Sequence, residues 1–216
     1  MSDKVIRVLL ADDHAIIRDG LKALLLSVPD MALVDTVDNG RTAVQRAVAL
    51  EPDVVILDVA MPDLNGIEAA AILHGKLPRM RIVMLSMHSD SEHVYRALAA
   101  GASGYLLKES AGEEVITAVR AVHAGRRYLS RGIQSLERRA TARADHASPL
   151  DSLSSRERQV LQLVVEGHSS AQIACMIHLS PKSVDTYRSR LMRKLGIADV
   201  TGLVKFAIQH GLTSPH

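Results

Sequence analysis

The chain has 216 residues, 47% hydrophobic and 23% charged, which is enough for two small domains and is a globular composition that excludes a disordered or collagen-like polymer. One cysteine, Cys175, excludes an internal disulfide; no leader of signal-peptide type precedes Asp3 and Lys4, and no apolar run reaches the roughly 18 residues of a spanning helix, so a soluble, cytoplasmic protein without a membrane partner is expected. The net charge of +2 is unevenly spread: 12 Lys/Arg face 17 Asp/Glu over 1–125, 6 face 2 over 126–149, and 8 face 5 over 150–216, a pattern suited to a cation or phosphate site in front and a polyanion partner behind.

In chain order, short apolar runs rich in β-branched residues occur at 5–11, 31–37, 53–57, 81–87 and 104–107. Between and after them, 14–28, 41–51, 66–77, 91–100 and 113–124 repeat apolar residues at helical spacing, as at Ile16, Ile17, Leu21, Leu24 and Leu25. Apolar strands alternating with amphipathic helices predict a doubly wound α/β domain with a parallel sheet. Residues 126–149, rich in Ala and Arg and ending at Pro149, read as a partly helical linker. From Leu153 onward the pattern is all helical, with apolar faces in 155–166, 170–178, 181–195 and 199–210. Ser154 with Glu157 has the spacing of a capping box, and Ser180 precedes a proline at the first helical position. Cys175 is expected in the core of the helix over 170–178.

Ligands of open α/β sheets bind at the carboxyl ends of the strands. Asp12, Asp13 and His14 follow the first strand, Asp58 the third, Ser86 ends the fourth and Lys108 follows the fifth. Any one of these acids reads equally as a helix cap, but the ordered set does not. Converging carboxylates need a cation, and hard oxygen ligands suit Mg²⁺ better than zinc. Lys108 and Ser86 can hold the oxygens of a phosphoryl group on Asp58, the candidate nucleophile. On a helix over 181–195, Val184, Tyr187, Leu191 and Leu195 share one face. The opposite face carries Lys182, Thr186, Ser189 and Arg193, flanked by Asp185 and Arg190; it is either a nucleic-acid contact or a solvated surface.

The segments LLADDH (9–14), LDVAMPDLNGIE (57–68), LSMHSD (85–90) and GYLLKE (104–109) make residues 5–125 resemble the receiver domain of response regulators. The resemblance implies a flavodoxin-like five-stranded sheet of order 2-1-3-4-5. It implies Asp58 as phosphoacceptor, with Mg²⁺ or Mn²⁺ held by Asp12, Asp13, Asp58 and the Ala60 carbonyl. Ser86 and Lys108 would contact the phosphoryl group, and Tyr105 would be a switch aromatic that turns inward. Residues 150–212, containing LSSRERQVLQLVVEGHSSAQIACMIHLSPKSVDTYRSRLMRKLGI, resemble the four-helix helix-turn-helix domain of LuxR type. That implies a scaffold helix over 170–178 and a recognition helix over 181–195 in the major groove of double-stranded DNA. The implied contacts are Lys182, Asp185, Thr186, Ser189, Arg190 and Arg193, with a dimer surface at Val200, Leu203, Val204 and Ala207. Tyr187 and Ser183 depart from the usual His and Thr, so no base preference carries over.

Together the segments resemble a NarL/FixJ-type regulator: receiver 1–125, linker 126–149 and DNA-binding domain 150–216. Such a protein takes a phosphoryl group from a sensor histidine kinase and changes its domain contacts or dimerisation, and so its DNA binding. It catalyses only its own phosphorylation and dephosphorylation. Two alternatives stay open. A Mg²⁺-dependent phosphohydrolase shares the carboxylate chemistry, yet would want an acid where Ala60 stands and leaves the second domain idle. A DNA-binding protein indifferent to phosphate is the other.

Overall fold

The computed structural model describes residues 5–89, 91–133, 149–210 and 212–213. The chain divides into two compact units, Met1–Ala144 and Asp145–His216. Among the described residues no helix is long and apolar enough to cross a membrane.

In the first unit, β1 (Ile6–Ala11), β2 (Met31–Val37), β3 (Val54–Asp58), β4 (Arg81–Ser86), β5 (Gly104–Leu107) and β6 (Tyr128–Leu129) form one sheet of order β2-β1-β3-β4-β5-β6. Every neighbouring pair is parallel. Helices α1 (Ala15–Leu26), α2 (Gly40–Leu50), α3 (Gly66–Lys76), α4 (Ser91–Ala99) and α5 (Ala111–His123) supply the crossovers. Successive strand residues point to opposite faces. Leu9, Val55, Leu57, Ile82, Met84 and Tyr105 join one core with residues of α2, α3 and α4. Val8, Leu10, Val54, Ile56, Val83, Leu85 and Leu106 join the other with α1 and α5. Sheet interiors apolar on both faces explain why β3 is buried along its whole length.

The expected five-strand order is present, and a sixth strand extends it. Tyr128 pairs with Gly104 and Leu129 with Tyr105, within the segment expected to be linker. A two-residue strand has no periodicity to read, and its pairing comes from the sheet edge it completes. The rest of the expected linker, 134–148, lies outside the described residues.

In the second unit, a short 3-10 turn (Pro149–Ser152) precedes α6 (Ser155–Val165), α7 (Ser170–Ile177), α8 (Pro181–Leu195) and α9 (Val200–Gln209). Helix starts are set by side chains that accept from otherwise orphaned amides: Ser154 with Glu157 and Ser169 with Gln172 form capping boxes, Ser180 caps α8 ahead of Pro181, and Asp199 caps α9. Val160, Leu161, Ile173, Ile177, Val184, Leu191, Leu203 and Ala207 fill a separate core. Cys175 is exposed rather than in that core, because Ile173, Ala174 and Ile177 take the inward face of α7.

Candidate functional site

The carboxyl ends of β1, β3, β4 and β5 bring the expected residues together. Asp12 and Asp58 are buried, Asp58 being the last residue of β3, and Ser86 is buried at the end of β4. Lys108 Nζ lies 2.7 Å from Asp58 Oδ2 and 3.0 Å from Asp12 Oδ2. His14 Nδ1 lies 2.7 Å from Asp13 Oδ1 and 3.4 Å from Lys108 Nζ. Ligand atoms of Asp12, Asp13, His14 and Asp58 all fall within 4.8 Å of one another. In sequence His14 stands at this edge without a role; in the structure its imidazole is part of the cluster.

Local backbone structure holds this edge in place. The His14 amide donates to Asp12 Oδ1 at 2.8 Å, and Arg18 donates to the Asp12 carbonyl at 2.6 Å. The Ala60 amide donates to Asp58 Oδ1 at 3.3 Å. Asn65 caps α3 by accepting from the Glu68 amide, and the helix starts tight against the acid: a Cβ at Gly66 would stand 2.0 Å from the Asp58 carbonyl oxygen. Only glycine allows that approach.

Burial comes first in pushing the Asp58 carboxyl up to about 8; the neighbouring Asp12 and Asp13 charges raise it further, while Lys108 works against them. Asp12 Oδ2 is buried and, although within ion-pair distance of Lys108, receives no hydrogen bond. A buried carboxylate oxygen left in that state is costly unless a further positive group meets it.

Ser86 Oγ accepts from the His88 amide at 3.0 Å. The ring of Tyr105 is turned inward and fully buried, and its hydroxyl donates to the His88 carbonyl at 2.8 Å. The rings of His88 and His93 stack with centroids 4.5 Å apart.

In the helical unit, Lys182, Asp185, Thr186, Ser189, Arg190 and Arg193 are all exposed on α8. Asp185 accepts from Ser170 Oγ on α7 at 2.6 Å, a tie between two helices that no local spacing announces. Lys194 donates to Glu157 Oε2 at 2.7 Å and to the Ser152 carbonyl at 2.9 Å, fastening the end of α8 to the start of α6. Burial opposes ionisation of Glu157, but hydrogen bonds from Lys194 and Ser154 outweigh it and hold the carboxyl below the usual carboxylate range. Of the four residues expected at a dimer surface, Leu203 and Ala207 are fully buried in the unit's own core. The inward stripe of α9 uses them, and Val200 and Val204 are left facing outward or half-buried.

Residues 8–120 match the response regulator receiver domain, and residues 151–207 match the luxR family of bacterial regulatory proteins. The chain is similar to the transcriptional regulatory protein MctR of Rhizobium johnstonii, 36% identical over 209 residues that cover 97% of this chain and 96% of that one. It is equally similar to the response regulator GacA of Pseudomonas aeruginosa, 36% identical and covering 96% and 98% of the two chains. A solved two-component response regulator of the LuxR family from Aurantimonas sp. SI85-9A1 superposes with a TM-score of 0.60 and 33% identity, over 64% of this chain and 99% of that one.

Proposed function

Because the chain belongs to the response regulators, with a receiver domain followed by a DNA-binding domain of the luxR family, we propose that Asp58 is its phosphoacceptor and that phosphorylation there controls binding of the second unit to double-stranded DNA. The observation that carries this reading is the Lys108 ammonium 2.7 Å from Asp58 Oδ2 beside the buried Asp12. An ionised Asp58 oxygen attacks the phosphorus of a phosphohistidine on a sensor kinase. The new O–P bond replaces the N–P bond, and the kinase imidazole leaves. Lys108 then balances charge on the phosphoryl oxygens, and Ser86 offers a hydroxyl donor.

The donor set fits a hard divalent cation: three carboxylates, one with a buried oxygen that receives no hydrogen bond. Asp12, Asp13, Asp58 and the Ala60 carbonyl would hold Mg²⁺ or Mn²⁺. When bound, the ion supplies positive charge that favours the ionised Asp58 and neutralises the transferred group. The chain thus catalyses its own phosphorylation and dephosphorylation without turning over an external substrate. Tyr105, tied to the His88 carbonyl two residues beyond Ser86, is the switch side chain that reports the site's state.

On the output side, α8 enters the major groove, and exposed Lys182, Thr186, Ser189, Arg190 and Arg193 meet phosphates and base edges. Asp185, already engaged by Ser170, orients α8. A homodimer doubles the modest positive charge of one helical unit, with Val200 and Val204 at the contact. The domain limits proposed are 1–125 and 150–216, with the described residues 126–133 folded onto the receiver edge, and the protein works in the cytoplasm. Incubation with a small-molecule phosphodonor tests this reading: Mg²⁺-dependent labelling that tightens DNA binding is expected, and DNA binding unaffected by labelling would refute it.

A further inference from the structure

Residues 128–130 run alongside β5, and one buried hydroxyl joins the two. Ser130 is fully buried. Its Oγ accepts from the Leu107 amide at 3.1 Å and donates to Glu114 Oε2 at 2.8 Å, while its own amide donates to the Tyr105 carbonyl at 2.9 Å. Ser110 Oγ lies 3.2 Å away, and Tyr128 donates to the same Glu114 oxygen at 3.3 Å. Just past it, Ile133 is fully buried in the core that holds Tyr105 and Leu107.

The end of β5 is therefore gripped from both sides. The Lys108 amide donates to the Ser86 carbonyl at 2.8 Å on the β4 side. One residue earlier, the Leu107 amide turns to Ser130 on the other side. The last backbone bond from β5 to this segment is the Ser130 amide on the Tyr105 carbonyl; two residues on, at Leu107, the Ser130 side chain takes over as acceptor just before the strand reaches Lys108. A rotatable hydroxyl is a weaker lock than a paired strand, and a buried amide that loses its only acceptor is destabilised.

Resting on the reading of Asp58 and Lys108 given above, we infer that Ser130 is a positioning residue that links the placement of Lys108 to the docking of residues 128–133, so that phosphorylation and release or fastening of this segment are two sides of one equilibrium. Such coupling is reciprocal: whatever the phosphoryl group does to the segment, the segment does to acceptance of the phosphoryl group. Glu114 sets the direction of the hydroxyl by accepting its proton.

The test uses the full chain with acetyl phosphate and Mg²⁺, reading labelling rate and amide hydrogen exchange together. In wild type, labelling is expected to change exchange at Leu107, Ser130 and Ile133 in concert. In Ser130→Ala, exchange of the Leu107 amide should rise about tenfold and labelling should slow several-fold, and the concerted change should vanish. Glu114→Gln, which keeps an acceptor oxygen, should behave as wild type, whereas Glu114→Ala should reproduce the Ser130→Ala response in part; a merely structural role would lower stability in Ser130→Ala and Glu114→Ala while leaving the labelling rate and the concerted change in place. Wild-type labelling with exchange over 128–133 unmoved would overturn this inference alone. Failure of wild type to label at all would overturn the phosphoacceptor reading and this inference with it.

Discussion

Lys108 and Asp58 stand fifty positions apart in the chain, yet the ammonium of one lies 2.7 Å from a carboxylate oxygen of the other, both side chains being almost fully buried. The parallel sheet makes this meeting automatic, since β3 and β5 flank β4 and all three end at the same edge. A buried ion pair is weak evidence of stability, because desolvation offsets much of the attraction. Its position beside two further acids is better explained by work on a charged group than by folding.

Lys108→Ala should therefore slow labelling by a phosphodonor by about a hundredfold, the usual loss when one donor to a developing charge is removed. It also leaves the buried Asp12 and Asp58 without their counter-charge, so the thermal midpoint should fall as well. Rapid-quench labelling and a melting curve on the same preparation check this. Lys108→Arg should not restore the rate, since a planar guanidinium cannot take the place of a compact ammonium in a buried site.

Two glycines in one helix separate site geometry from helix stability. Gly66→Ala forces a methyl against the Asp58 carbonyl, at 2.0 Å from its oxygen, and should cost about 1–3 kcal/mol while moving the acceptor. Gly75→Ala meets nothing within 4 Å and should stabilise α3 by up to about 1 kcal/mol. Urea titrations of both variants, with labelling measured alongside, would show stability and acceptance falling for the first, and acceptance unchanged for the second.

The Lys194 to Glu157 bond predicts a pH signature in the helical unit. Glu157 is held below its ordinary value of 4.5, so its contribution is complete above that value and is lost as pH falls through the lower folded-state value. Lys194→Ala should cost about 1 kcal/mol near neutrality. The gap from wild type should close as pH drops below the ordinary glutamate range. Denaturant midpoints measured from neutral to acid pH supply the comparison, and a gap independent of pH would contradict it.

Much of the site was legible in the sequence, for a physical reason. Strands buried on both faces are apolar almost without interruption, so Asp12, Asp58, Ser86 and Lys108 stand out where the runs stop. The helix starts at Ser154 and Ser180 were legible because capping is a matter between residues three positions apart. What escaped depends on distant partners. Ser130 lies in a basic stretch with no pattern, and its neighbour Leu107 is 23 positions away. Ser170 and Asp185 belong to different helices. On α9 the apolar spacing marks an apolar helix face, but spacing cannot say whether Leu203 and Ala207 face their own core or a second chain.

DNA binding should separate the exposed cations of α8 from the tie that holds it. Arg190→Ala and Arg193→Ala should each reduce the slope of log affinity against log salt by about 1 if the side chain meets a phosphate. Ser170→Ala, which frees Asp185, should leave that slope unchanged and lower affinity through a less well-oriented helix. Titrations of a labelled duplex across a salt series distinguish the two outcomes.

Intact-mass stoichiometry after treatment with a phosphodonor decides whether Asp58 accepts a phosphoryl group that controls the second unit. Wild type and Asp58→Asn are compared with Mg²⁺ and after its removal by chelation, and duplex binding is measured on the same samples. One phosphoryl group per wild-type chain is expected, with none without the metal or in the Asn variant, and tighter DNA binding only in the labelled sample. Labelling that persists in Asp58→Asn, or wild-type DNA binding that is the same with and without the phosphoryl group, would contradict it.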